Sequence, residues 1–487
     1  MQKKIKHINV GYPKDVALFI VSYLIVVFFC CCKKMVEVKA PVTSVNENNV
    51  YSNDASAAAS LTGNYIAMSD GSSIFTGRSG VSLLAGLSAD EFTLYKDVTD
   101  SKLIAYYKNA LSVSQTIGSE FWAPLYNFVY NSNIAIEKLN DAASLTPSVR
   151  QQLLGEAKFL RAFYYFYLTN LFGDVPLALT SDYKVNSSLP NSKSENVYKQ
   201  IVDDLKDAQN LLSDTYLSGD VKSITTERVR PTKWAATALL ARAYLYMKEF
   251  ANAEVEATKV IDNSSVFNLT SLDSTFLKNS HEAIWQLQPV NVGHNTEDGW
   301  LFVIPSTGFI GDTYPVYLDT NLVNRFDSVD NRRRKWMNKY INFPDSFYFP
   351  YKYKSAELDA PVTEYLMVFR LAEQFLIRAE ARAELNKLNA AQLDLNSIRN
   401  RAGLGSISLT DKVSAISAVL NERRLELFSE WGHRWLDIKR REIVDQVMGV
   451  NGASFRKGGS WSSYKMLYPI PLIDIQRDVN LVQNAGY

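Results

Sequence analysis

The chain has 487 residues, of which 47% are hydrophobic and 21% charged, and its 52 basic and 51 acidic residues leave a formal net charge of +1. This balance excludes a disordered chain, which would be poor in hydrophobic residues, and it argues against nucleic-acid binding, which requires a clear basic excess. The 27 Tyr, 24 Phe and 8 Trp far outnumber the 4 His and 3 Cys, so the composition favours a binding protein over an enzyme.

The first segment has the pattern of an export signal. Four lysines precede an apolar run from Val16 to Phe29, as in the basic and apolar parts of a secretory signal peptide. The run ends in three cysteines and is similar to a bacterial lipoprotein signal, in which a cysteine is acylated and becomes the N-terminus. Cleavage requires a small preceding residue, so Cys32 is the predicted lipidation site and Cys31 the alternative. An uncleaved anchor helix is also open, because Val16 to Cys32 spans 17 residues, the lower limit for crossing a bilayer.

Helical periodicity dominates the sequence that follows. Asp54 is a candidate N-cap for a helix that runs to about Met68. The Gly- and Ser-rich stretch from Ser69 to Leu87 has no helical period, so we expect a long surface loop there. Apolar residues from Leu153 to Leu171 recur at steps of three and four, which predicts an amphipathic helix that ends at Gly173.

Two later segments have the pattern of paired antiparallel helices. In each of them, alanines recur on both sides of a short polar turn, at Lys248-Glu249 in the segment Trp234 to Asp262 and at Asn386-Lys387 in the segment Phe375 to Arg399. This order of aromatic, turn and small residues resembles a tetratricopeptide repeat. Isolated repeats cannot bury their apolar faces, so we expect a mainly α fold in which the helix pairs form one curved scaffold.

A different region, 267–368, lies between the two helix pairs. We expect few strands in it, and those short, such as Ala283 to Leu287. Long irregular segments on a rigid scaffold are where binding surfaces usually occur. The region alternates prolines with aromatic residues: Trp285, Pro289, Trp300, Pro305, Tyr314, Pro315, Tyr317, Trp336, Tyr340, Phe343, Pro344, Phe347, Tyr348, Pro350, Tyr351 and Tyr353.

These patterns divide the chain into a signal, a tether and a body. The body has an N-terminal helical part and a C-terminal part, which we expect to form one compact unit. The predicted boundaries are 1–31 for the signal peptide, 32–52 for the tether, 53–266 for the N-terminal part and 267–487 for the C-terminal part, which is loop-rich over 267–368 and helical over 369–450.

Eight segments together resemble the SusD/RagB family of outer-membrane nutrient-binding lipoproteins from Bacteroidota. The resemblance covers nearly all of 32–487, and it departs from the family pattern at Ala485, where a proline is usual. The segments are, in chain order, Gly155 to Ala162, Phe172 to Leu177, Ala235 to Tyr246, Arg370 to Leu385, Asn396 to Leu404, Glu422 to Arg440, Tyr468 to Pro471 and Gln483 to Tyr487.

The resemblance implies an all-α core, an acyl anchor in the outer membrane, exposure at the cell surface, and a lid-like role over a SusC-like TonB-dependent transporter. It implies a protein that captures an oligosaccharide or polysaccharide for import. A peptide or glycopeptide receptor on the same scaffold is the alternative, and a hydrolase that degrades its own ligand is a third hypothesis. We expect no catalytic residue, metal or cofactor.

Two charged segments allow a chemical and a structural interpretation. Glu430 and His433 share a helix face and would suit an acid/base pair, but an ion-paired helix explains the surrounding charges better. The run Arg332 to Lys335 would suit a phosphate or a sulfated glycan. Because Asp327 and Asp330 lie beside it, we favour a solvated turn that neutralises its own charge. The histidines, including His281 and His294, show no zinc-site spacing.

The candidate ligand residues follow from the chemistry of sugars. The C–H groups of a pyranose ring stack on flat aromatic faces, while planar polar side chains read the hydroxyl groups. Such residues must lie on loops to reach a ligand. We therefore predict the following binding residues, and expect the core to hold most of them: Arg78, Tyr95, Trp300, Tyr314, Tyr317 and Trp336.

Overall fold

Helices are the dominant elements of the computed structural model, which describes residues 50–113 and 118–487. The predicted signal peptide, Cys31 and Cys32 lie outside the described residues. The helices of the N-terminal half are α1 (Asp54–Ser69), α2 (Val81–Ser88), α3 (Ser101–Tyr107), α4 (Trp122–Asp141), α5 (Pro147–Phe172), α6 (Tyr183–Asn186), α7 (Ser194–Leu211), α8 (Lys233–Tyr246) and α9 (Phe250–Ile261).

The second half contains three longer helices and several short ones. They are α10 (Glu297–Phe302), α11 (Thr320–Val323), α12 (Asn331–Lys335), α13 (Leu371–Glu384), α14 (Leu388–Arg401), α15 (Lys412–Glu426), α16 (His433–Arg440), α17 (Val444–Met448), α18 (Ala453–Arg456) and α19 (Leu472–Arg477). Single 3-10 turns lie at Gly77–Ser79 and Ser463–Met466. Among the described residues, no helix is long and apolar enough to cross a membrane.

The long helices pack one after another into a layer that we call the helical scaffold. Helix α4 packs on α5, α5 on α7, α7 on α8, α8 on α9, α9 on α13, and α13 on both α14 and α15. Both predicted helix pairs are confirmed, and the turn of each contains a residue with positive φ, Lys248 at 62° and Asn386 at 59°. Buried alanines such as Ala379 and Ala391 let the paired helices approach closely.

Helix α5 is the centre of the N-terminal half. It covers the predicted amphipathic segment, but its burial extends around almost its whole circumference from Phe159 to Phe172. It ends where expected, at Gly173, whose φ of +80° is unfavourable for a residue with a side chain. A helix buried on all sides is sealed from ligands, so α5 contributes stability rather than contacts.

The long surface loop predicted over 69–87 is wrong in its second half, and in its first half Ser73 to Gly77 are buried rather than at the surface. Helix α2 begins at Val81, and all eight of its residues are buried. Its sequence mixes only small and apolar residues, so it shows no polar face and no amphipathic period to reveal it. At the first helix the N-cap is Asn53 rather than Asp54: the Asn53 side chain accepts a hydrogen bond from the Ser56 amide at 3.0 Å.

Antiparallel strand pairs shape the region 267–368. The strands are β1 (Phe92–Leu94), β2 (Val175–Pro176), β3 (Asn191–Ser192), β4 (Ala283–Leu287), β5 (Val316–Leu318), β6 (Met337–Asn342), β7 (Asp345–Pro350) and β8 (Leu366–Arg370). They pair as β1 with β5, β2 with β3, β4 with β8 and β6 with β7. The predicted strand β4 is confirmed. Every residue of β4 and of β8 is buried, whereas the β6–β7 hairpin carries exposed residues along both strands.

Candidate functional site

Five half-buried aromatic rings meet on one surface of the region 267–368 and the adjoining end of β1. We call this surface the aromatic face. Its rings are close: Tyr95 stacks on Phe309 with centroids 3.9 Å apart and planes at 6°, and Tyr317 meets Phe347 edge-on at 5.0 Å. Phe309 also contacts Phe347 at 5.2 Å and Tyr340 at 5.9 Å. The rings therefore form one continuous group that is partly open to solvent.

Strand pairing brings these rings together. The β1–β5 ladder is extended by the Tyr95 amide, which donates to the Pro315 carbonyl at 2.8 Å. In the β6–β7 hairpin, Tyr340 lies directly opposite Phe347, and β5 packs on β7. The loop that carries Phe309 passes close to Tyr340 at Gly308, where a Cβ would lie 2.4 Å from the tyrosine hydroxyl and φ is +87°. Only glycine suits that position.

A polar edge borders the aromatic face. Arg78, whose side chain is 41% exposed, donates to Asp100 at 2.8 Å. Asp312 accepts hydrogen bonds from the backbone amides of Asp100 and Thr99 at 3.1 and 2.8 Å. These two amide hydrogen bonds hold the pKa of Asp312 below its usual range. Asp312 therefore joins the loop of Phe309 to the segment that follows Tyr95.

Trp300 lies on α10 and is half-buried. One face of its indole stacks on His294, with centroids 4.5 Å apart and planes at 15°. The helix is held beside Arg78 by Asp298, whose carboxylate accepts from the Thr76 hydroxyl at 2.9 Å and the Gly77 amide at 2.8 Å. Burial raises the pKa of Asp298 to about 6, against the opposing effect of these hydrogen bonds.

The prediction of Trp336 as a ligand residue is wrong. Its side chain is 0% exposed, and its indole N–H donates to the Leu272 carbonyl at 2.9 Å. Cations surround the ring: the Lys352 ammonium lies 4.9 Å from the ring centroid and the Arg401 and Arg370 guanidinium groups lie 5.4 and 5.6 Å from it. A ring enclosed in this way has no face to offer a sugar.

Trp336 packs on a buried cluster of charges, which we call the ionic network. Its centre is Arg370, which pairs with Glu282 at 3.0 Å, Glu426 at 2.6 Å and Glu430 at 2.8 Å. The network also contains Arg332, Lys352, Arg401, Asp330 and Glu422. Its members come from both the region 267–368 and the helices that follow, so the network ties the two together.

The ionic network also decides between the two interpretations of Glu430 and His433. Burial alone would raise the pKa of Glu430, but Arg370 and Lys352 hold it below its usual range. Burial lowers the pKa of His433 well below 6.5. Both side chains are at most 6% exposed. The ion-paired interpretation is therefore supported, because a buried carboxylate fixed by two cations cannot exchange protons with a ligand. The expected shared helix is wrong, since Glu430 lies in the turn between α15 and α16.

The fold brings together three of the other predicted binding residues. Arg78, Tyr95 and Tyr317 lie at the aromatic face or its polar edge, and Tyr314 is half-buried in the turn before β5. Phe309, Tyr340 and Phe347 were not among the predicted binding residues. For the last two, the proline–aromatic alternation of the region 267–368, to which Tyr340 and Phe347 belong, was the available signal.

A separate cavity of about 600 Å³ lies between α4 and the C-terminal segment, and its lining includes Trp122, Tyr126, Tyr130, Tyr183 and Arg477. Within 50–113 and 118–487, no group of three or more His, Cys, Asp or Glu side chains is placed to hold a metal ion.

Two family models match the sequence. A SusD-like model, described as starch-binding and associating with the outer membrane, matches residues 85–245, and a model described as the SusD family matches residues 328–487. The SusD-like protein P2 of Formosa agariphila is 26% identical over 505 residues, which cover 92% of this chain and 95% of that protein. The starch-binding protein SusD of Bacteroides thetaiotaomicron is 33% identical over 129 residues, covering 25% of this chain and 21% of that protein.

Solved structures share the fold. A SusD superfamily protein from Bacteroides vulgatus matches with a TM-score of 0.76 at 21% identity, covering 89% of this chain and 99% of that chain. A laminarin-binding SusD-like protein matches with a TM-score of 0.72 at 22% identity, covering 89% of this chain and 100% of that chain.

Proposed function

Because the chain belongs to the SusD/RagB family of non-catalytic binding proteins, we propose that it captures a glycan at the aromatic face for import. In this proposal the protein is anchored to the outer membrane by an acylated Cys32, with Cys31 as the alternative. It passes the glycan to a SusC-like TonB-dependent transporter. The family description of outer-membrane association supports the location.

The aromatic face is the observation that carries the proposal. A pyranose presents an apolar patch of C–H groups, which stacks on an aromatic ring, and several rings in a row accommodate successive sugars. Rings that were fully buried would offer no such surface, and isolated exposed rings would hold one sugar at most. The five rings of the aromatic face are partly open and contiguous.

The polar edge supports the same function. A guanidinium group has five N–H donors, and the ion pair of Arg78 with Asp100 fixes its position while leaving donors for sugar hydroxyl groups. Trp300, on the helix that Asp298 holds beside Arg78, adds a further ring. Because relatives of this chain are described as binding starch or laminarin, a glycan is favoured over the peptide alternative.

The test is affinity gel electrophoresis against a panel of polysaccharides and peptide conjugates. We expect retention on at least one polysaccharide, and we expect the double variant Tyr95→Ala, Tyr317→Ala to lose about thirtyfold in affinity, since each ring contributes on the order of 1 kcal/mol. The melting temperature of the same variant should change by only a few degrees.

A matched control comes from the cavity beside α4. The double variant Tyr130→Ala, Tyr183→Ala removes two tyrosines that are 42% and 72% exposed, and we expect it to bind as the wild type does. If this control loses binding while the aromatic-face variant retains it, the ligand lies in that cavity and the proposed site is wrong. Retention on peptides alone would favour the peptide receptor.

The anchor has its own test. Mass spectrometry of the mature protein should find an acylated N-terminal cysteine, and several acyl chains on one residue give stable attachment to a bilayer. An intact Met1 in the membrane fraction would support the anchor helix instead. Copurification of a TonB-dependent transporter with the tagged protein would support the transporter partnership.

A further inference from the structure

Three cations converge on a cavity behind the β6–β7 hairpin. The cavity has a volume of about 370 Å³, and we call it the basic pocket. Its polar lining comes from α12, from β6 and β7, and from the turn before α12, and no carboxylate of the described residues lines it. The lining side chains are Ser328, Arg333, Arg334, Asn338, Lys339 and Tyr348, together with one methionine.

The three cations have no acidic partner among the described residues. The Arg333 guanidinium lies 5.9 Å from the centroid of the Tyr348 ring. Arg334 donates at 2.8 Å to the side-chain oxygen of Asn331, and this amide oxygen is a neutral acceptor. Lys339 forms no ion pair with any residue that the structure describes. Unpaired cations that face one cavity repel one another, so an anion in that cavity would be favoured.

The neighbours of these cations in the sequence, Arg332 and Lys335, do form ion pairs with carboxylates. Arg332 is buried and pairs with Asp330 at 2.8 Å and with Glu422 at 2.7 Å. Lys335 pairs with Asp273 at 2.8 Å. The interpretation of Arg332 to Lys335 as a turn that neutralises its own charge is therefore wrong for Arg333 and Arg334. Asp330 is buried and pairs with Arg332, so it does not neutralise Arg333 or Arg334.

The basic pocket and the aromatic face share the hairpin. Successive residues of a strand point to opposite faces of a sheet. Tyr340 and Phe347 form one facing pair and belong to the aromatic face, while the next pair, Lys339 and Tyr348, belongs to the basic pocket. A polymer that passes around the exposed edge of the hairpin can therefore contact both surfaces.

We propose that the basic pocket binds an oxyanion group, a sulfate ester or a carboxylate, carried by the glycan. This inference rests on the proposed function and adds the chemical class of the ligand, an acidic polysaccharide. The forked guanidinium groups of Arg333 and Arg334 match the oxygens of such a group, and Lys339 adds a point charge. Ser328, Asn338 and Tyr348 supply neutral hydrogen-bond donors.

The test compares acidic polysaccharides with neutral versions of the same backbone. We use sulfated galactans and their desulfated products, and polyuronates and their carboxyl-reduced products, in affinity gel electrophoresis at low and high salt. We expect the wild type to bind at least one acidic polymer on the order of tenfold to a hundredfold more tightly than its neutral version. High salt should reduce this preference.

The variant that tests the pocket is Arg333→Gln, Arg334→Gln, Lys339→Gln, and we expect it to lose the preference while still binding the neutral polymer. The control variant, Lys184→Gln, Lys199→Gln, Lys206→Gln, removes the same net charge from exposed residues elsewhere and should keep the preference. An equal loss in both variants, or no preference in the wild type, would overturn the inference.

The outcomes also separate this inference from the proposed function. If the wild type binds only neutral glycans, and the Tyr95→Ala, Tyr317→Ala variant loses that binding, the function stands and the basic pocket carries no ligand group. If calorimetry detects inorganic sulfate in the pocket but no polysaccharide is retained, both the proposed function and the assignment of a glycan-borne anion are overturned.

Discussion

The ionic network and the surface around the β6–β7 hairpin use the same residue types in opposite ways. In the network, Arg332 and Arg370 are at most 2% exposed and are each paired with several carboxylates. On the surface, Arg333 and Arg334 face a cavity without an acidic partner among the described residues. Aromatic rings differ in the same way, since Trp336 is enclosed whereas the rings of the aromatic face are half-open.

This difference means that the ionic network contributes to stability, whereas the surface around the β6–β7 hairpin remains available for ligand contacts. A charge buried with its partners cannot bind a ligand without losing those partners, and removing one member leaves the others unpaired. A half-buried ring or an unpaired cation at the surface contributes little to folding and remains available for contacts. Substitutions in the two regions should therefore affect different measurements.

The largest expected effect comes from the centre of the ionic network. Arg370→Met leaves Glu282, Glu426 and Glu430 without their shared cation, and we expect a loss of about 3–5 kcal/mol in the free energy of unfolding. The matched substitution Arg333→Met should change it by less than about 0.5 kcal/mol. Urea denaturation measures both, and similar midpoints for the two variants would contradict the division.

The two tryptophans test the same division with aromatic residues. Trp336→Ala removes a completely enclosed ring and should cost about 3–5 kcal/mol of stability. Trp300→Ala removes a half-buried ring and should cost about 1–2 kcal/mol. Denaturant unfolding of the two variants checks the order, and a larger loss for Trp300 would mean that its surroundings are as tightly packed as the core.

Asp298 tests whether a buried carboxylate without a cation partner among the described residues behaves differently from those of the network. Burial raises the pKa of Asp298 from 3.8 to about 6. Its contribution to stability is therefore fully present below about pH 4 and is lost as the pH rises through about 6, a change of about 3 kcal/mol. The contribution of Glu430, whose pKa is lowered, has the opposite pH dependence, because this stabilisation is lost as the pH falls.

The variant Asp298→Asn does not titrate, so its stability relative to the wild type should rise by about 2.4 kcal/mol between pH 4 and pH 7. Urea unfolding of both proteins at the two pH values gives this difference directly. A constant difference between them would show that the carboxyl is ionised at both values in the folded protein.

The smallest effect concerns the polar edge. Asp312→Ala removes the hydrogen bonds that join the loop of Phe309 to Thr99 and Asp100. We expect a loss of glycan affinity of less than about tenfold, with an unchanged melting temperature, because the residue lies at the surface. Calorimetric titration and thermal unfolding of the variant check the two parts. A large drop in melting temperature would assign Asp312 to stability instead.

The sequence was sufficient to predict the long helices but not all of the buried ones. Apolar residues between Leu153 and Leu171 show a clear period, and the break at Gly173 was unambiguous. Helix α2, by contrast, has no polar face, so periodicity cannot distinguish it from a loop. The same limitation hid the extent of burial around α5.

The candidate site was predicted less completely. Tyr95 and Tyr317 were selected because they lie near or within long irregular segments, and both lie on the aromatic face. Trp336 was selected for the same reason, yet it packs on the ionic network. Local sequence does not reveal which segment folds back over distant charges such as Glu282 and Glu426, so the burial of Trp336 required the tertiary structure.

Hydrogen–deuterium exchange with and without the retained polysaccharide tests the central claim most directly, because it locates the ligand without any substitution. We expect the ligand to slow exchange in peptides that contain Tyr95 to Asp100, Gly308 to Leu318 and Asn338 to Tyr348, while the helical scaffold exchanges as before. Protection confined to α4 and to α19, beside the cavity lined by Tyr130 and Arg477, would contradict the assignment of recognition to the aromatic face.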